Sequence, residues 1–129
     1  MQKIFVFAGL AAVAAAELGG VLLCTGANQT GICQYKVVPF EECIQVPQIF
    51  YTNTRTFAPD GEEFYCYPRV TNCGDPCNLP TGCTSGYVDF AYQHKYNLTA
   101  VGWDRLVRSF DCHAGKAVYN STTPGAPQS

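Results

Sequence analysis

The number of cysteines points most directly to the chemistry of this sequence. The 129 residues contain eight cysteines, and an even number in a short chain is typical of a secreted protein whose small core is reinforced by disulfides. Zinc is the alternative, but the spacing lacks the paired C-x2-C motifs of structural zinc sites, and the two histidines stand singly. We therefore predict four disulfides and no metal or other cofactor. The bonded residues are Cys24, Cys33, Cys43, Cys66, Cys73, Cys77, Cys83 and Cys112.

The pairing of these cysteines is the next question, since eight of them allow 105 connectivities. Short local loops favour Cys24–Cys33, Cys66–Cys73 and Cys77–Cys83, which leaves Cys43 with Cys112 as the long-range bond. With every thiol oxidised, no cysteine is available as a nucleophile.

Acid–base catalysis is the other chemistry that the residue types allow. His94 or His113 could join Glu62, Glu63 or Asp89 and an arginine, as in secreted ribonucleases. The spacing gives no support to such a site, and the chain lacks the GxSxG, HExxH and glycine-rich phosphate-loop motifs. We therefore expect no catalytic residues and keep a small secreted hydrolase as the weakest alternative.

The first 16 residues have the organisation of a secretory signal peptide. Lys3 supplies a positive charge, Ile4–Val13 is apolar, and Ala14–Ala16 offers a small-x-small cleavage site. We place cleavage after Ala16, with Ala15 and Leu18 as alternatives. The apolar run is shorter than the roughly 20 residues that cross a bilayer, so no membrane span is predicted. Three N-glycosylation sequons, at Asn28, Asn97 and Asn120, agree with an extracellular location.

Short β-strands must position these side chains. Cys33–Val37, Glu63–Tyr67 and Val88–Tyr92 alternate large apolar residues with smaller or polar ones, and glycine- and proline-rich turns separate them. Only Leu98–Val107 has helical character, and Gly102 limits it to a turn or two. Core spacing is found for Tyr35, Phe57, Phe64, Phe90, Trp103 and Phe110. Five other tyrosines suit either the core or a binding surface: Tyr51, Tyr65, Tyr67, Tyr87 and Tyr96.

A weak internal repeat divides the chain into two halves. Thr54–Phe57 and Val107–Phe110 share the pattern x-Arg-hydroxyl-Phe, and a cysteine-containing strand followed by a glycine turn precedes each. Two related four-strand units packed face to face would bury apolar faces that neither unit buries alone.

These two segments resemble the small secreted fungal proteins of the βγ-crystallin superfamily. In that family two Greek-key motifs form one β-sandwich, and a stretch similar to N-D-K-V-S-S-F ends each motif. Tyr51–Phe57 stands in the first place here and Trp103–Phe110 in the second. The resemblance covers about residues 22–112. It implies an all-β, disulfide-rich βγ-crystallin-like sandwich of two Greek-key motifs, which we assign to residues 17–121, followed by a disordered tail at 122–129.

Calcium binding is the property of this family that the residues argue against. Members that bind the ion use an N/D-N/D-x-x-S/T-S stretch in each motif, and a hard cation needs six to eight oxygen ligands. The first stretch, with Tyr51 and Asn53, has no carboxylate, and the second has only Asp104. Arg55 and Arg108 stand where the resemblance places a liganding hydroxyl, and a guanidinium has the wrong charge and no lone pair. We expect both calcium sites to be degenerate.

Composition and resemblance together predict a binding protein. A formal charge of −2 argues against nucleic acid as a partner, and 47% hydrophobic with only 14% charged residues argues against a disordered chain. Relatives by resemblance include killer-toxin-like and antimicrobial proteins that act at cell walls. We expect a secreted, monomeric, non-enzymatic protein that binds an extracellular protein or glycan, directed at a cell wall, host or competitor. A structural extracellular protein is the alternative.

Overall fold

The computed structural model describes residues 18–80 and 82–117. The proposed signal peptide at 1–16, the sequon at Asn120 and the tail at 122–129 lie outside the described residues. The predicted domain at 17–121 is therefore described over most of its length.

Over the described residues, alternating side chains and frequent turn residues produce seven short strands. The strands are β1 (Leu18–Cys24), β2 (Cys33–Pro39), β3 (Cys43–Gln45), β4 (Thr56–Pro59), β5 (Phe64–Arg69), β6 (Val88–Asp89) and β7 (Ser109–Ala114). The helical segments of the described part of the chain are 3₁₀ turns at Ala27–Gln29, Gln48–Phe50 and Leu98–Val101. The fold is therefore mostly β, as predicted.

The strands form two antiparallel sheets. Sheet A has the order β2-β1-β4, and sheet B has the order β3-β7-β5-β6. Strand β3 follows β2 along the chain but pairs with β7, so the first half of the sequence contributes one strand to the second sheet. The prediction of two four-strand units is correct for the first half only, because the described residues of the second half supply three strands.

The core lies between the two sheets and is aromatic at its centre. Phe57 on β4 and Phe110 on β7 are fully buried, and their rings meet edge to face with centroids 5.2 Å apart. Phe64 is also buried, and Trp103 packs against the core while partly exposed. The two phenylalanines of the sequence repeat thus occupy corresponding positions on their strands, and they contact each other across the core.

Two of the predicted core aromatics are on the surface instead. Tyr35 and Phe90 are exposed. Tyr35 occupies β2, where even-numbered residues pair with the core-facing side of β1, so the odd-numbered Tyr35 points outward. Phe90 follows the end of β6, because the strand predicted over Val88–Tyr92 stops at Asp89.

The hydroxyl residues of the repeat also have matching roles. Thr56 donates a hydrogen bond from its hydroxyl to the carbonyl of Gly26 at 2.8 Å. Ser109 donates in the same way to the carbonyl of Thr71 at 2.7 Å. Each hydroxyl is buried and joins its strand to the loop that follows the neighbouring strand. The repeat therefore has a structural meaning in both halves.

All eight cysteines are paired, but two of the four predicted bonds are wrong. Cys24–Cys33 and Cys77–Cys83 are present as predicted, whereas the other bonds are Cys66–Cys112 and Cys43–Cys73. The β5–β7 register places Cys66 directly opposite Cys112, with Cα atoms 3.9 Å apart. The register of β5 and β7, and not the length of the local loops, therefore decides which cysteine bonds Cys66.

The helical prediction at Leu98–Val107 is confirmed only for its first turn. The 3₁₀ turn ends at Val101, and Gly102 caps it in the left-handed conformation with a φ of 76°. Glycine adopts this conformation without a Cβ clash, so the chain turns away toward the Trp103 segment.

Candidate functional site

The outward face of sheet B carries the largest set of interacting polar side chains that we find. Along β5, Phe64, Cys66 and Pro68 point into the core, so Tyr65 and Tyr67 point outward. Arg69 continues that outward row. Along β7, Phe110 and Cys112 point inward, so Asp111 and His113 point outward. The antiparallel register then places Tyr65 opposite His113 and Tyr67 opposite Asp111.

Four charged groups form a continuous chain on this face, which we call the His113 cluster (Glu41, Arg69, Asp111 and His113). Arg69 donates two hydrogen bonds to Asp111, Nε to Oδ1 at 2.5 Å and Nη2 to Oδ2 at 3.1 Å. His113 Nε2 lies 2.6 Å from Asp111 Oδ2, and its Nδ1 lies 2.9 Å from Glu41 Oε2. Asp111 is thus held between a guanidinium and an imidazole.

The two carboxylates favour the protonated form of the His113 ring. Partial burial lowers the pKa of His113, but the hydrogen bonds and charges of Asp111 and Glu41 outweigh it and raise the pKa above its usual value of 6.5. A neutral imidazole has one N–H and donates to one acceptor, whereas the protonated ring donates to both carboxylates. The hydrogen bond to Asp111 likewise raises the pKa of Arg69.

Tyr65 and Tyr67 pack against the histidine, and Tyr87 packs against Tyr65. These three tyrosines and the His113 cluster together make up what we call the tyrosine face. Tyr65 stacks on His113 with ring centroids 5.5 Å apart. It also meets Tyr67 and Tyr87 edge to face. The guanidinium carbon of Arg69 lies 5.3 Å from the centroid of the Tyr67 ring. All three tyrosines are half-buried, so each ring is held by its neighbours while part of it stays open to solvent.

Two of the five non-glycine residues with a positive φ in the described part of the chain lie at the edges of this cluster. Glu41 and Cys83 have φ values of 62° and 63°, a region that residues other than glycine rarely adopt. Glu41 contacts His113, and the carbonyl of Gly82, next to Cys83, accepts a hydrogen bond from Arg69 Nη1 at 2.7 Å. Strained conformations of this kind are often found at functional sites.

The two calcium-like segments lie side by side, but their polar groups bind one another. Arg55 Nη1 donates to the carbonyl of Thr25 at 2.9 Å, and its Nε lies 3.7 Å from Asp104 Oδ2. The amide of Asn53 donates to the carbonyl of Ile49. Arg55 therefore ties two loops together, and the single carboxylate of the second segment is paired with the arginine of the first.

Arg108 does not have the same role as Arg55. Its guanidinium carbon lies 5.7 Å from the centroid of the Tyr51 ring, and Arg108 is exposed. The neighbouring carboxylate of Asp111 bonds Arg69 and not Arg108.

Metal coordination is not indicated within residues 18–80 and 82–117, where no three histidine, cysteine or acidic side chains are arranged to hold an ion. His113 contacts its two carboxylates through different nitrogens, on opposite sides of the ring. The three side chains therefore do not converge on one point.

Of the acid–base partners considered from sequence, Asp89 lies opposite Tyr65 on the outward face of sheet B, but His113 bonds Asp111 and Glu41 instead. Glu62 and Asp89 line a cleft of about 470 Å³ together with Lys116. His94 lies beside Tyr92, and its Nε2 contacts Gln93. Sequence reasoning named His113 but missed its actual partners, although the outward i, i+2 spacing of Asp111 and His113 was a usable signal.

Two of the three sequon asparagines are in the described part of the chain. Asn28 is exposed in the turn after β1, and Asn97 is half-buried before the last 3₁₀ turn. In the described ranges, no helix is long and apolar enough to cross a membrane.

Comparison with family models, with curated proteins and with solved structures gave no match to this chain. The geometry of its own residues therefore carries the functional argument.

Proposed function

We propose that this chain is a secreted, disulfide-braced, non-enzymatic protein that binds an extracellular protein partner through the tyrosine face. The observation that carries the proposal is the tyrosine face itself, where three half-buried tyrosines and Arg69 stand on a rigid sheet. Tyrosine and arginine are enriched among the residues that dominate binding energy at protein interfaces. A cell-wall, host or competitor surface is the setting that the resemblance suggests.

A protein suits this surface better than a glycan. A sugar ring stacks on an open aromatic face, but Tyr65 already stacks on His113 and Tyr67 has the Arg69 guanidinium over its ring. The exposed parts of the tyrosine rings present both polar and apolar surface. Contacts with neighbouring side chains hold these rings in place before a partner binds. Side chains that are already ordered lose little entropy on association, which favours a protein interface.

The fold that we propose is the βγ-crystallin-like pair of Greek keys. It is supported by the crossing of β3 into the other sheet and by the equivalent surroundings of Phe57 and Phe110. A further similarity is the amide of Phe57, which donates to the carbonyl of Lys95 at 2.8 Å. This hydrogen bond lies at the β4 edge of sheet A. In a pair of Greek keys, a strand of the second half would join sheet A at such an edge.

Secretion is the part of the proposal with the most independent support. Four disulfides persist in an oxidising compartment and are rare in the cytosol. The first 16 residues have the organisation of a signal peptide, and three sequons follow.

Binding by wild type and matched variants tests this function. Purified protein is screened against an array of extracellular proteins and a separate array of glycans. The double variant Tyr65→Ala/Tyr67→Ala removes two rings of the tyrosine face, and Tyr35→Ala removes an exposed tyrosine from the other sheet. We expect one or more protein ligands that bind wild type and Tyr35→Ala alike and bind the double variant at least about tenfold more weakly.

Equal binding by all three proteins would contradict the proposed surface, and recognition of glycans alone would contradict the proposed partner. Circular dichroism of the double variant controls for its folding.

A second function, acid–base hydrolysis of a phosphodiester, is favoured by one observation. Arg69, Asp111 and His113 are joined by hydrogen bonds, which is the combination of residue types such a site needs. We rank it lower because both nitrogens of His113 are engaged with carboxylates. Incubation with RNA decides between the two, since an enzyme would release cleavage products that His113→Gln fails to release.

A further inference from the structure

The outward face of sheet A contains an aromatic groove whose lining residues are all different from those of the tyrosine face. Its volume is about 260 Å³, and Leu22 and Ala58 lie along it. Three exposed aromatic residues line it, with 52% of Tyr35, 41% of Phe90 and 36% of Tyr96 accessible to solvent. Apolar surface gathered in a groove is a feature of ligand sites.

The aromatic rings of this groove are held in place. The hydroxyl of Tyr35 donates to the Asp60 carboxylate, and its ring lies over Gly20, where an added Cβ would fall 1.7 Å from the hydroxyl oxygen. The ammonium of Lys95 lies 4.1 Å from the centroid of the Phe90 ring and 5.1 Å from that of Tyr96. The groove is therefore formed before any ligand arrives.

Asn28 of the first sequon lies at the edge of this groove. Its backbone N–H donates to the carbonyl of Tyr96 at 2.7 Å, and the adjacent Gln29 is itself part of the groove lining. The N–H of Gln29 donates to Thr56 Oγ1 at 3.1 Å, which ties the turn to β4. Asn28 is thus exposed but fixed in position relative to the aromatic rings.

We propose that Asn28 carries an N-linked glycan whose first sugar residues pack into this groove. The apolar faces of the sugar rings would lie against Tyr35 and against the exposed edges of Phe90 and Tyr96, whose rings already have the Lys95 ammonium on one face. The acetamido and hydroxyl groups would bond Gln29 and Asp60, which line the same groove. The proposal rests on the secretion proposed above and is independent of the tyrosine face.

The position of Asn28 beside the aromatic groove indicates that its occupant is the glycan attached to Asn28. A glycan on Asn28 is covalently linked beside the groove, so its effective concentration there is high and weak contacts are enough to hold it. Asn97 is a poorer source, because it is half-buried and precedes the core residue Leu98. Burial of the aromatic groove under sugar also removes an exposed apolar surface from a secreted protein.

The test uses the full chain expressed in a eukaryotic secretory host. Glycopeptide mass spectrometry measures occupancy at each asparagine, and thermal unfolding is recorded before and after enzymatic removal of the glycans. We expect Asn28 to be occupied and the midpoint to fall by about 4 °C or more on removal. Asn28→Gln should abolish the shift, whereas Asn97→Gln should leave it in place.

A variant of the groove distinguishes packing of the glycan against the aromatic rings from a general stabilising effect of an attached glycan. Tyr35→Ala removes one ring from the groove, and its matched control is Val37→Ala, an exposed residue on the same strand and face. The shift on glycan removal should fall to half or less in Tyr35→Ala and stay unchanged in Val37→Ala. Binding of a hydrophobic dye should rise on glycan removal from wild type.

An unmodified Asn28 in secreted protein, or an equal shift in both variants, would overturn the inference. Neither result bears on the tyrosine face, which is tested by partner binding. Failure of the chain to enter the secretory pathway would instead count against the proposed function.

Discussion

At the scale of single residues, His113 takes part both in hydrogen bonds to charged groups and in ring packing. Its ring stacks on Tyr65 while its two nitrogens face Asp111 and Glu41. Other groups on this face include the Arg69 guanidinium, the tyrosines of the tyrosine face, and Asp89, which lies opposite Tyr65. With His113 protonated the cluster is neutral overall, and loss of that proton leaves it with one net negative charge.

The first prediction concerns stability against pH. The pKa of His113 is raised in the folded state, so its contribution is complete below the unfolded value of about 6.5 and is lost as pH rises through the folded value. We expect the free energy of unfolding in urea to fall as the pH rises above about 6.5. The fall should be smaller in His113→Gln, and His94→Gln should retain the wild-type slope. A wild-type slope in His113→Gln would contradict the coupling.

The second prediction concerns calcium and Arg55. We expect titration calorimetry to show no calcium binding in the micromolar range, because Asp104 is the single carboxylate of the two segments and is paired with Arg55. Arg55→Ser restores a hydroxyl where the family resemblance places a ligand. It also removes the bond to the Thr25 carbonyl, so we expect a loss of about 1 kcal/mol of stability and still no tight binding. Saturable micromolar binding by either protein would contradict the argument.

At the scale of strands and loops, the positions of the strands along the chain are easier to predict than which strands pair with each other. The period-two patterns identified β2 and β5, and the turn residues identified the all-β class. The pairing of β5 with β7 could not be inferred, because register depends on contacts between residues far apart in sequence. The wrong disulfides and the missed His113 cluster have this single cause.

The third prediction compares two disulfides that differ in the loops they close. Cys66–Cys112 spans 46 residues and lies between buried cysteines of β5 and β7, whereas Cys77–Cys83 spans six. Loop-closure entropy gives about 4 kcal/mol for the first and about 2 kcal/mol for the second. We expect Cys66→Ala/Cys112→Ala to lose more stability in urea unfolding than Cys77→Ala/Cys83→Ala. Peptide mapping without reduction checks the pairing itself, and a Cys66–Cys73 peptide would contradict the strand register.

At the scale of the whole molecule, the two outward faces would have separate tasks. Sheet A carries the aromatic groove beside Asn28, and sheet B carries the tyrosine face. The outer faces of two packed sheets point in opposite directions. A glycan on sheet A would therefore leave the tyrosine face open to a protein partner.

The last prediction tests whether the two sheets unfold as one unit. Phe57 of sheet A and Phe110 of sheet B are fully buried, and their rings meet edge to face across the core. Replacing either with leucine keeps the core apolar and removes the ring contact, so each single variant should lose about 1–2 kcal/mol. The double variant should lose less than the sum, by about 0.5–1 kcal/mol, because the ring contact is counted twice in the single variants. Urea unfolding followed by fluorescence and by circular dichroism should give one coincident transition for all four proteins. Additive losses, or separate transitions for the two probes, would show that the sheets are not coupled through this contact.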